Sequence, residues 1–127
     1  MFATSVLAAM VAAVQAQIDL GGAAVITFYT GTQPPAGGTP TGAVQAQTAL
    51  ASPAGTITGQ TLSLTVPIVA LRTAGQDITW GRMTRADGSW LMDLTAGLTS
   101  SGAHIELDAL AGFPGGTVTI TGGAIGF

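Results

Sequence analysis

A mainly β domain preceded by one helix is what this sequence predicts, and three observations carry the prediction. Glycine (19 residues) and threonine are abundant while charged residues make up only 7% of the chain, a mixture that suits strands and tight turns. From residue 23 onward, short runs of alternating or β-branched apolar residues are separated by Gly, Pro and Asp-Gly breaks. Only the first twenty residues follow a helical period. We therefore expect one structural unit: an N-terminal helix over 1–20, and a single antiparallel β-sandwich or jelly-roll-like domain of about seven strands over 21–127.

The opening run, MFATSVLAAMVAAVQAQIDL, combines alanines with Phe2, Val6, Met10, Val14 and Ile18 at helical spacing, flanked by Leu7 and Val11. Thr4 or Ser5 is the expected cap. A secretory signal would show a basic segment ahead of its apolar run, and none is present. A membrane span needs about 20 predominantly apolar residues, whereas Thr4, Ser5, Gln15, Gln17 and Asp19 interrupt this one. An amphipathic helix of about four turns, covering a sheet or docking on a neighbour, fits best. Gly21-Gly22 ends it, because glycine tolerates the left-handed cap conformation.

Residues 23–30, AAVITFYT, are apolar on both alternating faces and predict a central strand covered on both sides. Residues 31–42, GTQPPAGGTPTG, cannot be regular structure; Gln33, Pro34 and Pro35 are candidates to reach a neighbouring chain or to be an inert connection. Residues 44–51 alternate weakly and suit a strand or a short helix, of which we expect the strand, broken at 52–55. In TLSLTVPIV, Leu62, Leu64 and Val66 alternate with Thr61, Ser63 and Thr65, and Pro67 marks a strand end or an edge.

Residues 77–95, DITWGRMTRADGSWLMDLT, predict a hairpin closed by Asp87-Gly88, with the glycine at positive φ and a bulge in the turn. Pairing Arg85 with Ser89 sets Thr84 opposite Trp90, Arg82 opposite Met92 and Trp80 opposite Leu94. That register makes Trp80, Trp90, Met92 and Leu94 core candidates, while Arg82 either stacks on an indole, at about 0.5–2 kcal/mol, or reaches solvent along its aliphatic stem. In AHIELD, Ile105 and Leu107 point inward. In the last strand Val118 and Ile120 are out of phase with Ile125 and Phe127; a bulge at Gly122-Gly123 would keep all four inside, or else Ile125 and Phe127 pack on another molecule.

Composition excludes much chemistry. Cysteine is absent, which removes disulfides, thiolate metal sites and cysteine nucleophiles. There is no lysine, and three arginines against six acidic residues give a net charge of -3, unsuited to a phosphate backbone. His104 is the single histidine; with Glu106 and Asp108 it offers at most a weak cation site, and a solvated strand face is the simpler reading. Neither a nucleophile elbow nor a phosphate-binding glycine loop occurs. We expect no enzymatic activity, no cofactor and no metal, and neither nucleic acid nor membrane as a partner. A surface with so little charge is prone to associate, since interfaces are depleted in Lys, Glu and Asp.

Three segments carry a family resemblance: the helix leading into VITFYTGTQP (25–34); Thr79-Trp80-Gly81-Arg82 to Ala86-Asp87-Gly88, followed by Thr95-Ala96-Gly97 and Ser101-Gly102-Ala103; and the closing Gly116 to Thr121, GTVTIT. In order and spacing they resemble small virion structural proteins of tailed bacteriophages. The ending GGAIGF departs from that pattern. The resemblance implies localisation in the virion and no catalytic residues. Its partners would be further copies of the chain and other virion proteins of capsid, neck or tail. A capsid decoration or cementing protein is the leading expectation, with a collar, connector or tail-associated protein next. A secreted carbohydrate-binding or adhesive β-sandwich, with Trp80 or Trp90 exposed, is the reading from a different class. Candidate interface residues are Phe2, Val6, Met10, Val14, Gln33, Pro34, Pro35, Ile125 and Phe127.

Overall fold

The computed structural model describes residues 3–126, so Phe2 and Phe127 lie outside the described residues. Among the described residues one helix, α1 (Thr4–Ile18), precedes nine strands: β1 (Val25–Tyr29), β2 (Val44–Ala49), β3 (Gly55–Thr58), β4 (Thr61–Leu64), β5 (Ile68–Arg72), β6 (Trp80–Thr84), β7 (Trp90–Leu98), β8 (Ile105–Leu107) and β9 (Thr117–Gly126). The class is mainly β with an N-terminal helix, as expected. The sheet does not split into two facing layers: β9-β5-β2-β1-β6-β7-β8 pair in that order and β8 returns to β9, closing a seven-stranded barrel. Closure follows from the length of β9, whose first half pairs with β5 and whose middle pairs with β8.

The remaining two strands, β3 and β4, form a hairpin that continues from the far half of β9, with Leu62 opposite Ile125. All pairings are antiparallel except β7 with β8. A parallel neighbour normally needs a long crossover. Here β8 has only three residues, so the chain returns within the 99–104 loop. That return is fastened where Thr95 N donates to His104 Nδ1 (3.1 Å) and His104 N donates to Thr95 Oγ1 (3.0 Å).

Inside the barrel lie Ile26, Phe28, Ala46, Ala70, Met83, Leu94, Ile105, Leu107, Val118 and Ile120, all buried. Each large aliphatic or aromatic side chain here contributes about 1.5–3 kcal/mol by leaving water. Gly81 faces inward opposite Phe28, where a Cβ would come within 3.2 Å of the phenyl ring; its lack of a side chain makes room for that ring. The end of the barrel formed by the close of β1 and β5 is plugged by polar groups. Arg72, 2% exposed, donates to the carbonyls of Ala74 (3.2 Å), Gln76 (2.6 Å) and Leu110 (3.2 Å). Buried Gln45 accepts from Gln76 N at 2.8 Å.

The opposite end is covered by α1 and the β3–β4 hairpin. Val11 and Ile18 are buried, with Val14 packed beside them. Gln15 Nε2 donates to Gly55 O (2.8 Å), and Asp19 Oδ1 accepts from Ala54 N (3.0 Å). The buried stripe is therefore Leu7-Val11-Val14-Ile18, rotated from the one centred on Val6 and Met10; Val6 is exposed and Met10 half-buried. Neither Thr4 nor Ser5 caps the helix, because it begins one residue earlier: Ala3 is the cap and provides no side-chain bond.

Two further elements differ from expectation. TLSLTVPIV is two strands, β4 and β5, divided at 65–67, and the supposed break at 52–55 runs straight into β3. The phase change in the last strand is present. Residue 121 is the extra one against β8, beside the glycine pair, and Ile125 packs against the core.

Candidate functional site

The chemistry-bearing side chains gather on the outer face of β1, β6 and β7. The Asp87-Gly88 turn forms as its residues dictate: Gly88 has φ +90°, Arg85 N donates to Ser89 O, and Gly88 N donates to Arg85 O, both at 2.9 Å. Thr84 then faces Trp90. The register does not continue as expected, because Leu91 is a bulge residue. Met83 faces Met92, Arg82 faces Asp93, Gly81 faces Leu94 and Trp80 faces Thr95.

The expected pairings of Arg82 with Met92 and of Trp80 with Leu94 are thereby corrected. One inserted residue reverses which side chains point inward. Leu94 is in the core, as expected, and Met92 is half-buried against it. Both tryptophans point out of the barrel. Trp80 is nevertheless fully buried, whereas Trp90 is 44% exposed and is not a core residue.

Trp80 is covered by Tyr29, whose ring stacks on it at 4.7 Å and 16°. The Arg82 guanidinium lies 5.3 Å from the Trp80 ring centroid, the favourable side of the indole quadrupole. It also grips Asp93: Nε donates to Oδ1 at 2.7 Å and Nη2 to Oδ2 at 3.2 Å. Arg82 is thus stacked and paired, and does not extend into solvent.

Asp93 accepts two further bonds, from Trp90 Nε1 and from Gly37 N, each at 3.1 Å. Arg82 Nη2 donates to Gly38 O at 2.6 Å, so the pair clamps the loop. Burial by itself would raise the Asp93 carboxyl. The bonds from Arg82, Trp90 and Gly37, with the charge of Arg82, outweigh it and hold the group below the usual carboxylate range. Arg82 is raised, first by its bond to Asp93 and against the cost of burial.

Every strong acceptor of Asp93 is occupied, and Gly37 lies over the Trp90 ring, 3.6 Å from where its Cβ would be. This arrangement fastens a loop; it leaves no activated base or nucleophile. His104, Glu106 and Asp108 do not converge on a cation either. His104 is engaged with Thr95, Glu106 Oε2 with Gly102 N (3.1 Å), and Asp108 Oδ1 with Thr119 N (2.9 Å). Among the described residues no group of three or more His, Cys, Asp or Glu could hold a metal. No described helix is long and apolar enough to cross a membrane.

A second feature is a pair of exposed apolar side chains. On β5, Val69 and Leu71 point outward and are 60% and 59% exposed, opposite Thr119 and Thr117 of β9, with Gln47 of β2 beside Leu71. Phe113, 69% exposed, stands at the start of the turn that delivers β9. Sequence reasoning did not single out Val69, Leu71, Phe113 or Asp93. The usable signals were a strand apolar on both faces and one acidic residue across a hairpin from an arginine. Of the expected interface residues, Val6, Gln33 and Pro35 are exposed and Pro34 is half-buried, while Val14 and Ile125 pack into the chain's own core.

Fold and site together define a helix-capped, seven-stranded β-barrel protein with a clamped loop and an exposed apolar pair on β5. The chain matches no protein-family model, no curated protein and no solved structure.

Proposed function

We propose that this protein is a non-enzymatic structural component of a phage virion, most simply a decoration or cementing protein that reinforces the capsid shell. The observation that carries the reading is the outward face of β5, where Val69 and Leu71 stand exposed opposite Thr119 and Thr117. A chain with 7% charged residues has few means of keeping such a face apart from other proteins. A protein that binds assembled subunits and not dissociated ones shifts assembly toward the shell by mass action, without any catalytic group. The loop clamped by Arg82 and Asp93 supports the same reading, since it presents Gln33 and Pro35 on a fixed base.

The test is mass spectrometry of purified particles made by the genome that encodes the chain. The chain is expected in fixed proportion to the major capsid protein, and its absence from washed particles overturns the proposal. Fixed proportion to a tail or neck protein instead supports the collar, connector or tail-associated alternative. The secreted carbohydrate-binding reading finds one supporting observation, the exposure of Trp90. Gly37 covers one face of that ring and Asp93 occupies its N–H, so only the other face is left for a sugar.

A further inference from the structure

Between α1 and the β6–β7 hairpin lies an open cleft of about 330 Å³, lined by Ala13, Val14, Gln17, Arg85, Leu91 and Met92. The bulge creates its floor. In a regular strand Leu91 and Met92 would face opposite sides of the sheet, but the extra residue lets both line the cleft. Four of the six lining residues are apolar, and the single charge is Arg85.

Arg85 differs from the other two arginines. Arg72 is buried on backbone carbonyls and Arg82 is paired with Asp93. Arg85 Nη1 donates to Ser89 Oγ (3.1 Å) and Nη2 to Gln17 Oε1 (2.7 Å), both neutral acceptors, and its Nε has no partner among the described residues. Among the described residues no carboxylate lies within ion-pair distance of it. The nearest acidic influence is Asp87, which is bonded to Ser89. A positive charge left to neutral partners at the rim of an apolar cleft complements an anion with an aliphatic body.

We propose that this cleft binds an amphipathic carboxylate, its alkyl chain against Val14, Leu91 and Met92 and its carboxylate at Arg85. The volume lies at the small end of the range for ligand sites, which are mostly apolar with a few placed polar groups. One cation at the rim of so small an apolar volume fits an alkyl chain with a single anionic head. This inference goes beyond the virion reading and stands independently of it.

The test is a methyl NMR titration of the full chain with decanoate below its micelle concentration, with decanol as the uncharged control. Saturable shifts are expected at the methyls of Val14, Leu91 and Met92. Arg85→Gln should weaken decanoate binding about tenfold, as loss of one charge-assisted contact does. Decanol should bind the unaltered protein about as weakly as decanoate binds that variant. Ala13→Phe, which fills the cleft from an exposed helix position, should abolish the shifts while the remaining spectrum stays folded. Absence of saturable shifts, equal affinity in Arg85→Gln, equal affinity for decanol and decanoate, or shifts centred on Val69 and Leu71 would each overturn the proposal.

Discussion

Arg82 and Asp93 face each other across the β6–β7 hairpin, Nε to Oδ1 at 2.7 Å, only because Leu91 is an extra residue in β7. Without the bulge Asp93 would point into the barrel and Met92 would face Arg82. With it, one ion pair ties together a hairpin, the indole of Trp90 and the 31–42 loop.

Asp93→Asn should therefore cost more than a surface pair does. Its side chain is 2% exposed and that of Arg82 14%, so the variant leaves a largely desolvated cation with a weaker partner. We expect a loss of about 2–3 kcal/mol, between the values for exposed and fully buried pairs. Urea unfolding measures it. A change in Trp90 fluorescence before the main transition should report release of the loop.

The pH dependence follows from the same carboxylate. Asp93 and Asp87 are both held below their ordinary values in the folded chain, Asp87 chiefly by the Ser89 hydroxyl and backbone N–H. The unfolded chain then binds more protons, so the stabilisation is complete above the unfolded value, about 3.9. It is lost as pH falls through the lower folded values. Stability should be level between pH 7 and about 5 and fall below about 4. The Asp93→Asn variant should show a shallower acid limb in pH-dependent thermal melts.

Arg72→Ala should be among the most damaging single changes. It removes the donors to the carbonyls of Ala74, Gln76 and Leu110 at a buried barrel end and leaves a void there. A loss of about 3–5 kcal/mol is expected for truncating a buried, fully bonded charge. Equilibrium denaturation should show it, and an effect below about 1 kcal/mol would mean that water replaces the guanidinium without difficulty.

Gly81→Ala tests the barrel interior. The added methyl meets the Phe28 ring at 3.2–3.3 Å and Ile26 Cδ1 at 3.5 Å, which is tight without being impossible. Overpacking of this kind costs about 1–3 kcal/mol. Calorimetry should find a lowered melting temperature, with the loss partly restored by Phe28→Leu in the same chain.

Much of this architecture is legible in the residues because it is local. The alanine-rich helix and its glycine stop, the Asp87-Gly88 turn, the inward Ile105 and Leu107, and the phase change before Ile125 each follow from a few neighbouring side chains. What is not legible is set at a distance. At the β7 bulge both registers bury hydrophobic residues, since Leu91, Met92 and Leu94 offer them on either face, and only the Arg82–Asp93 pairing separates the alternatives. Strand β3 is hidden because Ser52-Pro53-Ala54-Gly55 has the composition of a break, while the strand is held by β4 and by Gln15 from the helix. Barrel closure depends on β8 meeting β9, a contact that no local pattern announces. The exposed apolar pair needs the barrel too, because Val69 and Leu71 become exterior only once Ala70 and Arg72 are known to point in.

The central claim is that the outer face of β5 packs on other proteins of a particle. Val69→Glu/Leu71→Lys changes two exposed side chains and should leave folding stability within about 1 kcal/mol of the original. The decisive measurement is the copy number of this double variant, relative to the unaltered chain, in purified particles. The claim predicts that the unaltered chain is present in fixed copy number and the variant is depleted at least tenfold despite equal expression and folding. Incorporation of the variant at the original level would contradict it.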